Sequence, residues 1–184
     1  YLNTVIGPSA GRIENAKLNL EGIDFELEKN NGAANLHGRN TGFNKQLWEI
    51  RERSVEMNYC GVSLFHKHKH MTGGFPGNME IYVHFRLHED NRLTVSFKAT
   101  TDQPCHLNMT HHNYFNLTGD CGIKLDDHIM FINALAYRPL QENGVPVSVS
   151  ESVEGTPFDF RVPKKLSEVF TKPPNGLDHP FDLN

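Results

Sequence analysis

The sequence predicts an antiparallel all-β protein. The stretch MEIYVHFRL (79–87) sets Met79, Ile81, Val83, Phe85 and Leu87 on one side and Glu80, Tyr82, His84 and Arg86 on the other. Strict alternation marks a strand with one buried face, because successive side chains point to opposite faces. Residues 92–100 repeat the pattern with Leu93, Val95, Phe97 and Ala99 after the polar turn 88–91. The two stretches should therefore form a hairpin that buries Val83, Phe85, Val95 and Phe97 on one face. Elsewhere apolar runs are short and turn residues recur, and helical periodicity is confined to 164–170, behind Pro163. Many short strands with almost no helix indicate a sandwich or barrel.

In chain order, residues 17–20 and 23–27 alternate apolar and polar side chains around Glu21-Gly22, a hairpin turn signal. Residues 30–42 are rich in Asn, Gly and Ala without a period, which predicts a loop ending near Phe43 and Trp48. One or two strands are expected over 48–59, another over 61–65, and further short strands at 129–132 and 145–149. His66, His68 and His70 would share one face of a strand, a possible zinc arrangement. Interleaved with Lys67 and Lys69 and lacking a fourth ligand, they read better as a solvated loop, and no metal is expected.

A chain of 184 residues with 38% hydrophobic and 22% charged residues suits one domain, 1–184. The net charge of −4, with Lys and Arg scattered, gives no footprint for nucleic acid or an anionic membrane, so neither is expected as a partner. No apolar run approaches ~20 residues and the start lacks signal-peptide regions, so a cytoplasmic location is expected. Cys60, Cys105 and Cys121 form an odd set without CxxC, which suits free thiols in a reducing compartment. The glycosylation patterns at Asn108 and Asn116 fall inside the candidate site and read as coincidental. Tyr1 is not an initiator Met, and the chain stops at Asn184 shortly after the Pro-rich run 172–175. It is expected to be a piece of a longer protein, lacking the N-terminal start and the C-terminal portion. Nothing in the pattern fixes an oligomeric state.

Chemistry is best placed in PCHLNMTHHNYFNLTG (104–119). On an extended segment Leu107, Met109 and His111 share one face while Asn108, Thr110 and His112 share the other. A neutral imidazole beside amide and hydroxyl neighbours can donate from one nitrogen and accept at the other, which suits proton transfer to a hydroxyl or ring oxygen.

The segment THHNYFNLTG resembles the NHxYFNLxG signature of the aldose 1-epimerases (galactose mutarotases), which interconvert the α and β anomers of free sugars. His112 matches the histidine that serves the family as general acid. Tyr114, Phe115, Asn116, Leu117 and Gly119 match in register, whereas His111 stands where the family usually has Asn. VIGPSAGRI is similar to the family's IGRxxxRI, with Arg12 at the substrate-binding arginine, Gly11 where Asn often stands and Pro8 replacing the first arginine. Asn35 to Gly38, followed by Thr41-Gly42-Phe43 and Trp48, resembles LHGGxxGFdkxxW. This implies that His37 is a second active-site histidine, binding the sugar and polarising its ring oxygen or anomeric hydroxyl. Gly38 would let the backbone pass close to a ligand, and Arg39 replaces the motif's second glycine. GGFPGN (73–78) is similar to EGYPGN and reads as a structural turn. GLDHPF (176–181) resembles GxDHxF, with Asp178 as an acceptor of sugar hydroxyls.

The resemblance implies a large antiparallel β-sandwich of the galactose mutarotase type, here incomplete, with a monosaccharide in an open cleft. Catalytic roles fall to His112 and His37, and substrate binding to Arg12, His37, Asn113, Tyr114 and Asp178. No cofactor is implied, since nothing is oxidised. The family's general base is a glutamate in a C-terminal strand, and no glutamate here occupies a comparable motif; Glu80, Glu142, Glu151 and Glu154 read as exposed. A non-catalytic sugar-binding or regulatory homologue is the alternative, resting on the missing base and on Pro8, Arg39 and His111. A phosphosugar epimerase would want more basic residues than Arg12 and Arg39. Sequence beyond Asn184 would separate the readings.

Overall fold

Alternation and turn chemistry carry most of the fold. The structure, a computed structural model, describes residues 1–170 and 177–184; the Pro-rich run 172–175 and Gly176 lie outside the described residues. The chain divides into two compact units, Tyr1–Asn113 and Tyr114–Asn184.

The first unit begins with β1 (Val5–Ile6) and β2 (Arg12–Ile13). The expected hairpin follows as β3 (Lys17–Leu20) and β4 (Ile23–Glu26), paired from Lys17 opposite Glu26 to Leu20 opposite Ile23. Glu21 (φ 51°) and Gly22 (φ 84°) turn it, both in the left-handed region that a tight hairpin needs. The loop of 30–42 contains the two-residue β5 (Asn35–Leu36), which pairs with β2. Then β6 (Glu49–Val55), β7 (Tyr59–His68), β8 (Met79–His88) and β9 (Leu93–Thr101) form a four-stranded antiparallel meander in that order. The short β10 (Thr110–His111) returns to pair with β1.

The β8–β9 hairpin has the expected register, with Val83 opposite Phe97 and Phe85 opposite Val95. Burial along its apolar face is graded rather than uniform. Met79, Ile81 and Val83 are fully buried beneath Phe43, Phe75 and Leu27, Phe85 and Val95 are half-buried, and Phe97 remains 38% exposed. The expectation that all four residues are buried is therefore corrected. The core cluster packs against the Met79 end of the sheet, and among the described residues β9 is an edge strand paired with β8.

The solvated-loop reading is also corrected for His66 and His68, whereas His70 is exposed in a turn. His66 and His68 belong to β7, directly opposite Ile81 and Met79, so they share the buried face of the sheet. His68 is only 1% exposed, beside the ring of Phe43 at 5.6 Å. His70 lies past the strand, where its Nδ1 accepts from the N–H of Gly77 at 3.1 Å. Among the described residues no group of three or more potential ligands is placed to hold a metal, and no helix is long and apolar enough to cross a membrane.

The second unit is built from shorter pieces. The strands are β11 (Ile129–Met130), β12 (Ala134–Tyr137), β13 (Glu151–Ser152), β14 (Lys164–Lys165) and β15 (Phe181–Leu183). The middle strand β12 pairs with both β13 and β15, and β11 pairs with β14. The expected strand at 145–149 is absent: Pro146 makes a single bridge to Leu140 and Val149 is 72% exposed. A proline lacks the N–H that a ladder requires. The helical pattern of 164–170 shortens to α1 (Ser167–Phe170), because Lys164 and Lys165 are taken up by pairing with β11.

Candidate active site

His112 is mounted by backbone pairing. Val5 lies opposite His111 and Ile6 opposite Thr110, and the ladder continues as the His112 N–H donates to the Thr4 carbonyl while the Asn3 N–H donates to the His112 carbonyl, both at 2.9 Å. The two adjacent histidines then point to different neighbours, as alternation requires. The His111 ring meets Phe85 of the sheet edge-on at 5.4 Å and its Nδ1 contacts the side-chain oxygen of Asn113. The His112 ring meets His37 and Tyr1.

His37 is mounted by a loop folded on its own amides. Asn30 bonds both the N–H and the carbonyl of Leu36, and the buried Asn35 donates to the Glu28 carbonyl at 2.6 Å and accepts from the N–H of Gly38 at 3.3 Å. This frame holds His37, Gly38 and Arg39 at φ 59°, 75° and 53°, three successive residues in the left-handed region. For His37 and Arg39 such a conformation costs of order 1–3 kcal/mol each, and it persists only where the surroundings impose it. Gly38 has no choice: a Cβ there would sit 2.8 Å from the Gly7 carbonyl and 2.9 Å from Gly42 Cα. The close approach expected toward a ligand is thus an approach to backbone. The Arg39 guanidinium is tied to the Lys29 carbonyl.

Gly11 completes the mounting. The His37 N–H donates to the Gly11 carbonyl at 3.2 Å, and the Gly11 N–H donates to His37 Nδ1 at 3.1 Å. Because Nδ1 accepts, the proton of the neutral ring sits on Nε2, which becomes a donor. The rings of His37 and His112 stand 5.4 Å apart at 87°. Arg12 follows Gly11 on β2, opposite Leu36, and its Nε donates to Asn31 Oδ1 at 2.9 Å. Asn113, exposed, closes the first unit one residue after His112.

Tyr114 and Asp178 belong to the second unit. Tyr114 is 59% exposed and begins a loop stapled by Asn116, whose Nδ2 donates to the carbonyls of Asp120 and Ile123 and whose Oδ1 accepts from Thr118. Asp178 is exposed, while the neighbouring His179 ring is inserted between Phe158 (4.3 Å) and Tyr137 (5.7 Å). Burial pushes the His179 pKa down, against the opposing charge of Asp178.

Three other histidines of the first unit are shifted by burial. Burial lowers the pKa of His106, whose Nε2 lies 2.9 Å from the hydroxyl of the buried Ser9. Burial likewise lowers His66, partly offset by the Leu47 carbonyl. Burial lowers His68 to about 4, with His66 adding to the shift. The Thr72 backbone offsets part of that, although neither ring nitrogen of His68 has a hydrogen bond of normal geometry.

Two contributors at this site went unread in the sequence. One is the Gly11 backbone, whose signal is a glycine where a side chain often stands. The other is Tyr1, whose ring lies 4.7 Å from His37 and 5.9 Å from His112. No period or motif marked it.

A pair of imidazoles, one a fixed Nε2 donor, can address two neighbouring oxygens of one small polyhydroxy ligand. The aldose 1-epimerase family model matches residues 1–184. The chain belongs to the aldose 1-epimerase family. Among the relatives, an Escherichia coli K12 aldose 1-epimerase is 37% identical over 188 residues, covering 100% of this chain and 53% of that protein. A galactose mutarotase of Bos taurus is 35% identical, covering 100% and 52%. A solved galactose 1-epimerase from Lactobacillus acidophilus superposes with a TM-score of 0.89 at 29% identity, over 98% of this chain and 54% of that one. An aldose epimerase homologue from C. elegans gives a TM-score of 0.88 at 28% identity, with the same coverage. The antiparallel β fold is thus that of the galactose mutarotases, and the chain spans about half the length of the relatives that it matches.

Proposed function

We propose that the protein carrying this chain is an aldose 1-epimerase that interconverts the α and β anomers of a free hexose such as galactose or glucose. It serves carbohydrate metabolism in the cytoplasm, as one β-sandwich domain of which these residues form part. The observation that carries the reading is the meeting of His37 and His112, 75 residues apart (112 minus 37), edge to face at 5.4 Å. Each histidine matches an active-site motif of the family.

In this reaction a proton reaches the ring oxygen as another leaves the anomeric hydroxyl. The bond between the anomeric carbon and ring oxygen breaks, an aldehyde forms, and rotation about the adjoining C–C bond allows closure on the other face. Two groups of opposite protonation are needed. His112 is the general acid. His37 donates from Nε2 and polarises the ring oxygen or the anomeric hydroxyl, supported by the Gly11 N–H on its other nitrogen. Arg12 and Asn113 bind hydroxyls of the monosaccharide, and Tyr114 and Asp178 carry the sugar-binding positions of their own motifs. The general base is a glutamate in a part of the protein beyond Asn184.

Polarimetry on freshly dissolved α-D-galactose and α-D-glucose tests the reading with the complete natural protein. Mutarotation faster than in buffer, lost in His112→Gln, is expected. A complete protein that binds sugar without accelerating mutarotation would instead be a sugar-binding homologue.

A further inference from the structure

We infer that Tyr1 is a positioning residue for the histidine pair, holding both imidazoles through its ring rather than through its hydroxyl. The inference rests on the reaction proposed above. With 43% of its surface exposed, Tyr1 is not a core residue, yet its ring is set against two imidazoles. It lies nearly parallel to His112, at 21° and 5.9 Å, and edge-on to His37, at 73° and 4.7 Å. With His37 and His112 themselves at 87°, the three rings form a closed triangle in which each one contacts the other two.

The backbone brings Tyr1 there. Its carbonyl accepts from the N–H and the hydroxyl of Thr4, which closes a turn over residues 1–4 with Asn3 at φ 49°. The same turn grips the His112 backbone through Asn3 and Thr4. One short turn therefore fixes His112 twice, at its main chain by hydrogen bonds and at its ring by a stacked aromatic face. His37 receives the matching treatment from Gly11 on one side and Tyr1 on the other. An imidazole has two rotatable bonds, and backbone pairing fixes neither. Offset and edge-to-face ring contacts restrict both, and proton transfer needs the donor nitrogen within hydrogen-bond reach of its oxygen.

The test uses Tyr1→Phe and Tyr1→Ala in the complete natural protein, with steady-state polarimetry, a melting curve, and proton–nitrogen spectra of histidine labelled in the ring. Misplaced catalytic groups typically cost about 10- to 100-fold. Tyr1→Ala should therefore lose that much in kcat with KM changed less than about threefold, and melt as the parent does. Tyr1→Phe should retain nearly all of the activity. Ring signals of His112 and His37 should average in the alanine variant and stay as in the parent in the phenylalanine variant. Parental kcat in Tyr1→Ala, a loss confined to KM, or a phenylalanine variant as slow as the alanine one would overturn the inference. If the parent protein does not turn over, the proposed reaction fails, and the spectra still decide: averaged imidazole signals in Tyr1→Ala support the positioning role, and unchanged ones sink it.

Discussion

The backbone N–H of Gly11 donates to Nδ1 of His37 across 3.1 Å, while the N–H of His37 donates back to the Gly11 carbonyl. This reciprocal pair fixes the tautomer and, together with the Tyr1 ring at 4.7 Å, the direction of the imidazole. His37→Asn can keep the acceptor opposite Gly11, since an amide oxygen can replace Nδ1, but it loses the Nε2 donor. The expected result is a fold stable to within about 1 kcal/mol and a loss of roughly 10²-fold or more in kcat/KM. Circular dichroism and polarimetry check the two halves. An active His37→Asn protein would remove His37 from the chemistry.

The loop that presents His37 has little tolerance at its next residue. Gly38→Ala must accept φ 75° and a Cβ only 2.8 Å from the Gly7 carbonyl, so a destabilisation of about 2–3 kcal/mol is expected. Arg39 also sits at positive φ, but its side chain already fits, so Arg39→Gly should change stability by less than ~1 kcal/mol. Urea unfolding of the two variants gives the comparison, and similar midpoints would refute it.

Legibility in the sequence followed the locality of the forces. The β3–β4 and β8–β9 hairpins were readable because alternation and turn residues are written into consecutive positions. The buried row of β7 was not, because the residues facing inward include His66 and His68, polar by type and flanked by lysines. Phe43, 25 residues before His68 (68 minus 43), is what buries that end of the strand. The strand β12 was missed since Ala134 and Ala136 carry no β signal, and its partners come from 14 and more residues away. His37 and His112 could be named from motifs, but their meeting depends on β1, β2, β5 and β10, each two residues long. Such strands have no period to read.

Burial along the β8–β9 hairpin gives a graded series. Ile81→Ala should cost about 3–4 kcal/mol, since a fully buried side chain leaves a cavity among Phe43, Phe75 and Met79. Phe97→Ala, at an edge-strand position still 38% exposed, should cost only about 1 kcal/mol despite removing more atoms. The order of the two midpoints in denaturant is the test, and a larger loss at Phe97 would mean that its face is covered.

His68 makes stability depend on pH. In the unfolded chain it titrates near 6.5, but in the folded chain burial lowers it to about 4. Between those values the unfolded state binds more protons, so stability is fully present above 6.5 and falls as pH drops toward 4. The loss is up to about 3 kcal/mol if the whole shift is expressed. His66 and His106 are lowered by burial too and add slope of the same sign. His68→Leu should therefore flatten the curve of stability against pH without abolishing its slope. An unaltered slope in the variant would exclude His68 as a major contributor.

The adjacent pair His111 and His112 separates packing from chemistry most directly. Both are half-buried and both come from β10 or its immediate continuation, so general disruption should affect them alike. Their neighbours differ: His111 is edge-on to Phe85 and bonded to Asn113, whereas His112 meets His37 and Tyr1. His111→Asn restores the residue that the family motif usually carries. It should lower stability by about 1 kcal/mol through the lost aromatic contact, with mutarotase activity kept within a few-fold. His112→Gln keeps the backbone bonds to Asn3 and Thr4 but gives up the ring contacts with Tyr1 and His37, so it should cost about 1 kcal/mol of stability as well. Removing a positioned proton donor should lower kcat by ~10² to 10⁴. Polarimetry and thermal melting on both variants of the complete protein decide the matter. If the losses fell the other way, with His111→Asn inactive and His112→Gln active, the general acid would be His111, and the site would lie on the sheet side of β10 beside Phe85.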